Sequence, residues 1–177
     1  MNLVIIDYGS GNLRSVENAF KNSVKTNKLK FKIEVTNELA SVKKGDFIVL
    51  PGVGSFPDCK RGLEDINGLI ETLSNEVLFK QKPFLGICVG MQLMVEYSLE
   101  KTKTNGFGWL TGYLKKINIS GKDYLGRKYK IPHMGWNTLK VLDKKNPILK
   151  NINDFVKSDD KFSKLYEVVI TPPHTLI

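Results

Sequence analysis

A short apolar strand that runs directly into a cysteine flanked by glycines constrains this chain more than any other stretch. Residues 83–92 read PFLGICVGMQ, so that Cys88 lies two residues after Gly86 and two before Gly90. Glycines on both sides are typical of a tight strand-to-helix turn that presents a reactive side chain. Thiols at helix N-termini ionise more readily than free cysteine, and the thiolate is the nucleophile. The stretch predicts either a nucleophile at such a turn or a small cysteine packed as a hydrophobe.

The length and composition predict one globular domain. The chain has 177 residues, of which 41% are hydrophobic, and this is enough for a core. Cys59 and Cys88 are too few for a disulfide framework and do not have metal-ligand spacing. The sequence opens on an apolar strand pattern rather than a basic leader, and no apolar run approaches the ~20 residues of a membrane helix. We therefore expect a soluble, cytoplasmic protein with no metal, no cofactor and no membrane association.

The net charge of +9 raises the question of a nucleic-acid partner. The basic residues are mostly lysines dispersed along the chain, in pairs such as Lys43 and Lys44, rather than a stripe interleaved with aromatic residues. Dispersed lysines are typical of a solvated surface. We therefore expect no nucleic-acid binding.

Apolar strand patterns alternate with helical spacing through the first half of the chain. This alternation indicates an α/β fold with a mostly parallel central sheet flanked by helices. Beyond Gly112 the segments become shorter and predict antiparallel strands added at one edge of the sheet. The predicted strands are 3–7, 31–35, 47–50 and one from residue 83, and the predicted helices are 15–24, 62–80 and 91–99.

Two glycine-containing turns follow predicted strands. The turn at residues 51–54, PGVG, lies at the carboxyl edge of the sheet, where its glycines let the backbone approach a ligand or turn an amide toward a developing oxyanion. A plain loop is the alternative. The earlier turn has the spacing Gly9-x-Gly11 without a third glycine, so the dinucleotide-binding motif is incomplete. His133 lies between Pro132 and Met134, and this apolar setting favours a structural or interface histidine over a general base.

Four separated stretches together resemble one protein family. Residues 6–16 (IDYGSGNLRSV), 50–56 (LPGVGSF), 82–93 (KPFLGICVGMQL) and 132–137 (PHMGWN) are similar, in order, to the glutamine amidotransferase subunits of imidazole glycerol phosphate synthase. The resemblance implies a class I glutamine amidotransferase domain of flavodoxin-like α/β architecture, and it covers residues 1 to about 140.

The resemblance also implies roles for individual residues. Cys88 would attack the side-chain amide of L-glutamine and give a thioester and ammonia. The turn at residues 51–54 would supply an oxyanion amide after a peptide rearrangement. The ammonia would pass to a (β/α)8-barrel cyclase subunit in a heterodimer, for the histidine pathway. The implied oxyanion and glutamine-binding residues are Gly52, Val53, Gly54, Val89 and Gln92, and the implied partner-facing residues are Asn12, Met134, Gly135, Trp136 and Asn137.

One feature of the family is missing. Class I amidotransferases carry a late His-x-Glu that supplies the general base and its orienting acid, and this sequence contains no His-x-Glu. The last histidine, His174, precedes Thr175 and Leu176, and we expect it not to contact the Cys88 sulfur. We therefore expect residues 1–177 to be a single amidotransferase domain whose C-terminal part is incomplete. Two alternatives stay open: a paralogue that supplies ammonia to another synthase, such as one acting on surface-polysaccharide sugars, and a catalytically impaired binding subunit.

Overall fold

A four-stranded parallel sheet forms the centre of this computed structural model, which describes residues 1–116. The strand order is β2-β1-β3-β4, and every neighbouring pair is parallel. This order is the beginning of the flavodoxin-like arrangement. The prediction of an α/β fold with a parallel sheet flanked by helices is thus confirmed. The strands are β1 (Asn2–Ile6), β2 (Lys32–Thr36), β3 (Phe47–Gly52) and β4 (Phe84–Cys88).

The central strand β1 buries both of its faces, as a parallel strand covered by helices must. Because side chains alternate along a strand, Leu3 and Ile5 pack on one face of the sheet, and Val4 and Ile6 pack on the other. All four side chains are buried.

Helices cover the two faces of the sheet unequally. Leu13, Val16 and Phe20 of the first helix pack on the Ile5 face. Residues of the next three helices join the core on the opposite face. The helices are α1 (Leu13–Thr26), α2 (Leu39–Lys44), α3 (Phe56–Glu64), α4 (Leu69–Ser74) and α5 (Val89–Gln92), and α4 continues into a π-helical turn (Asn75–Phe79).

The single helix predicted over residues 62–80 is wrong, because the chain forms two helices there and the first begins earlier. Ser55 caps α3 by accepting a hydrogen bond from the Asp58 amide, and a proline follows within the first turn. The break falls at Gly68, which has φ +78°, a conformation that interrupts a right-handed helix. The apolar spacing continues across this break, and the periodicity alone therefore did not reveal it.

The helix predicted over residues 91–99 is also wrong, since the helix ends at Gln92 and β5 (Val95–Ser98) follows. A later segment takes the carbonyl groups that a longer helix would use internally. The amide of Phe107 donates to the Leu93 carbonyl at 2.7 Å, and that of Trp109 donates to the Met94 carbonyl at 2.8 Å. Gly106 permits this approach, because a Cβ at that position would collide with the Leu93 carbonyl.

A second sheet contains β5 with β6 (Thr104–Asn105) and β7 (Leu110–Leu114). The β5–β6 pair is antiparallel and the β5–β7 pair is parallel. The antiparallel strands predicted beyond Gly112 fall almost entirely outside the described residues. Within residues 1–116, no helix has the length and apolar character needed to span a membrane.

Candidate active site

Three turns meet at the carboxyl edge of the parallel sheet. They follow β1, β3 and β4, which are consecutive neighbours in the sheet. The helix after β1 lies on one face and the helix after β3 on the other, so the edge between them is the switch point at which α/β proteins bind ligands. The predicted nucleophile and the predicted oxyanion turn both lie on this edge.

Cys88 has the backbone geometry of a nucleophile at a tight turn. Its φ is +55° and its ψ is −116°, it ends β4 and immediately precedes α5, and its side chain is exposed. Such a conformation costs a non-glycine residue about 1–3 kcal/mol and concentrates at active sites. Of the two readings of the sequence, the structure excludes the buried hydrophobic cysteine.

The glycines around Cys88 are required by close backbone contacts. A Cβ at Gly86 would lie 2.6 Å from the Met91 Cα, and a Cβ at Gly90 would collide with the Leu50 carbonyl of β3. A Cβ at Gly52 would lie 2.7 Å from the Gly90 amide nitrogen. The turn that carries the cysteine therefore packs directly against β3.

The turn after β3 lies beside Cys88. Gly52 is paired with Cys88 in the strand register. The two backbones therefore lie at the usual spacing of neighbouring strands, about 4.8 Å. Val53 and Gly54 follow and are exposed. This geometry brings a backbone segment with N–H groups next to the thiol, as an oxyanion hole requires.

The remaining residues expected in the glutamine pocket lie on α5. Val89 is buried at its start and Gln92 is half-buried at its end. Because α5 is a single turn rather than the predicted longer helix, its macrodipole contributes less to the cysteine than expected. The amide after the nucleophile, that of Val89, is still a first-turn N–H.

The turn after β1 binds the turn after β3 through side-chain hydroxyls. Tyr8 Oη donates to the Pro51 carbonyl at 2.8 Å. Ser10 Oγ donates to the Val53 carbonyl at 2.7 Å and accepts from the Val53 amide at 3.2 Å. These contacts connect residues 43 positions apart, and they fix the backbone of the predicted oxyanion turn.

A buried thiol lies beneath the same turn. Cys59 Sγ donates to the Val53 carbonyl at 3.3 Å and lies 3.4 Å from Ser10 Oγ. Burial, followed by the adjacent Cys59 thiol, raises the pKa of Tyr8 far above its ordinary value. The Tyr8 hydroxyl therefore keeps its proton and remains a donor to Pro51.

The far end of the turn is held by the start of α3 and by residues after β5. The Phe56 amide donates to Glu100 Oε2 at 2.7 Å. Ser55 Oγ donates to the Asp58 carboxylate, and Lys101 Nζ donates to the same carboxylate at 3.2 Å. Hydrogen bonds from Ser55 and then Lys101 lower the pKa of Asp58.

Of the predicted partner-facing residues, Asn12 alone lies in the described part of the chain. It caps α1 by accepting a hydrogen bond from the Ser15 amide at 3.3 Å, so it has a structural role of its own. His133 and His174 lie outside the described residues, as do Met134, Gly135, Trp136 and Asn137. Within residues 1–116, no group of three potential ligands could hold a metal ion, and both cysteines are free thiols.

Sequence reasoning did not assign Tyr8, Ser10, Cys59 or Glu100 to the site. The start of α3 had a readable signal in Ser55-Phe56-Pro57-Asp58, which matches a helix cap. No local signal links Ser10 to Val53, because their contact depends on the pairing of β1 with β3.

Comparisons with known proteins point to one family. The family model described as "Glutamine amidotransferase class-I" matches residues 4–171. Three similar proteins are all named "Imidazole glycerol phosphate synthase subunit HisH". The one from Pelagibacter ubique (strain HTCC1062) is 42% identical over 169 residues, which are 96% of this chain and 76% of that protein. The Brucella suis biovar 1 (strain 1330) protein is 48% identical over 141 residues, or 80% of this chain and 63% of its own length. The Mesorhizobium japonicum protein is 43% identical over 152 residues, which are 86% of this chain and 68% of that protein. The chain thus spans just under two thirds of the Brucella suis relative.

Proposed function

This chain belongs to the class-I glutamine amidotransferase family, and from that membership we propose that it is the glutaminase subunit of an imidazole glycerol phosphate synthase. The observation that carries the proposal is the pairing of Gly52 with Cys88, which brings a glycine-flanked backbone turn beside an exposed cysteine at a strained turn. The names of the similar proteins favour the histidine pathway over a paralogous synthase acting on surface-polysaccharide sugars.

The proposed chemistry is acyl transfer from glutamine through a thioester. The Cys88 sulfur attacks the side-chain amide carbon, the C–S bond forms, and the carbonyl electron pair moves onto oxygen. Backbone amides of the turn at residues 52–54 and of Val89 stabilise the resulting oxyanion. Collapse breaks the C–N bond, and nitrogen leaves as ammonia after taking up a proton that originates on the thiol. Water then hydrolyses the thioester to glutamate and restores the thiol.

Proton transfer to the leaving nitrogen is the step to which we assign no residue. The sequence contains no His-x-Glu, and loss of a general acid–base catalyst typically costs ~10²-fold or more in rate. The second candidate function, a catalytically impaired subunit that binds its synthase without hydrolysing glutamine, stays a prediction from the sequence. The incomplete C-terminal part of a single domain over residues 1–177 remains a prediction, and reading the DNA beyond the codon for Ile177 in all frames checks it. A His-Pro-Glu in another frame would support that prediction.

The proposed partner is a (β/α)8-barrel cyclase subunit that receives the ammonia in a cytoplasmic heterodimer. We place Asn12 and the segment from Met134 to Asn137 at this interface. Asn12 is exposed and lies at the same edge of the sheet as Cys88, in the turn after β1. The similar proteins are named as subunits of a synthase, which supports a role within a complex.

Ammonia release from L-glutamine tests the proposal directly. We expect turnover by the chain in the presence of a cyclase subunit and its complete loss in Cys88→Ala, because no other described thiol is exposed on this edge. Pull-down of the cyclase by Cys88→Ala serves as the control for folding. Cyclase binding without turnover by the unmodified chain would instead support the binding subunit, and turnover that survives Cys88→Ala would refute the assigned nucleophile.

A further inference from the structure

We draw no further inference here: the strongest candidate, the exposed surface patch that Leu78 and Phe79 form at the end of the π-helical turn beside Lys80, carries none, because nothing in the described part of the chain shows what covers it.

Discussion

At the scale of single residues, the reactive cysteine depends on glycines that leave room for the neighbouring strand. Cys88 adopts a positive φ because β4 ends and α5 begins within one residue. Gly90 then passes directly over the Leu50 carbonyl, and Gly52 lies against Gly90. Side chains at these positions would separate β3 from the turn that carries the nucleophile. The pairing of Gly52 with Cys88, and with it the site, depends on these contacts.

Gly90→Ala should therefore destabilise the fold severely. The added methyl group collides with backbone rather than with a movable side chain, so we expect a loss of about 3 kcal/mol or more in the free energy of unfolding. Urea denaturation followed by circular dichroism measures it. Gly108→Ala is the control, since a Cβ there has open space and only the φ of +68° opposes it, for about 1–2 kcal/mol. Equal losses in the two variants would show that the close contact is unimportant.

At the scale of elements, a buried carboxylate joins the end of a helix to the start of the nucleophile-bearing strand. Glu76 lies in the π-helical turn and is fully buried. Its carboxylate is 2.8 Å from Lys80 Nζ and 2.7 Å from Lys82 Nζ, and Lys82 leads into β4. Burial by itself raises the pKa of Glu76, but the hydrogen bonds from Lys80 and Lys82 outweigh it and lower the pKa. The carboxylate is thus charged and paired at neutral pH.

Glu76→Gln should reduce stability by about 2 kcal/mol at pH 7, because both lysines lose their charged partner. A lowered pKa means that the carboxylate stabilises the fold fully above about pH 4.3, the unfolded value, and loses this contribution as the pH falls through the folded pKa. The difference between the two proteins should therefore be largest near pH 7 and shrink below about pH 4. Urea unfolding at several pH values measures it, with exposed Glu71→Gln on α4 as the control. A difference that does not vary with pH would contradict the assignment.

At the scale of the whole molecule, the net charge of +9 is accompanied by several ion pairs within residues 1–116. In the described residues, lysines of several different elements contact nearby carboxylates, including those at Lys21, Lys32, Lys60, Lys80 and Lys101. The pairs of Lys21, Lys32 and Lys101 lie at the surface and add little stability, in contrast to the pair of Lys80 with buried Glu76. All of these pairs divide the positive field. We therefore still expect the net charge of +9 to serve solubility rather than the recognition of a polyanion.

We accordingly expect no binding to duplex DNA tighter than about 100 µM at 0.15 M salt, where non-specific DNA-binding proteins typically reach Kd values of about 10⁻⁴–10⁻⁶ M. Fluorescence anisotropy of a labelled 30-base-pair duplex measures this, with the same titration at low salt as a check that the probe responds. Micromolar binding with a steep salt dependence would reveal a basic surface and would reopen the nucleic-acid hypothesis.

The sequence by itself determined the features whose causes are local. Apolar runs, and an alternating pattern at residues 31–35, predicted the four parallel strands to within two residues at each boundary that was predicted. The glycines around Cys88 predicted the turn that carries it. The cap at Ser55 was also present in the sequence, although the apolar spacing from residue 62 concealed it. In each case the pattern that reveals the element lies within the element itself or a few positions from it.

Only the tertiary structure decided the features that depend on distant partners. The chain at residues 95–98 is a strand because the amides of residues 106–110 bind the carbonyls of residues 93–96, and this pairing overrides a locally acceptable helix. Likewise, the orientation of the Val53 amide follows from Ser10, which is 43 positions away and is brought close by the pairing of β1 with β3. Hydrogen bonds of this kind form only after the sheet has assembled, so no local pattern in the sequence specifies them.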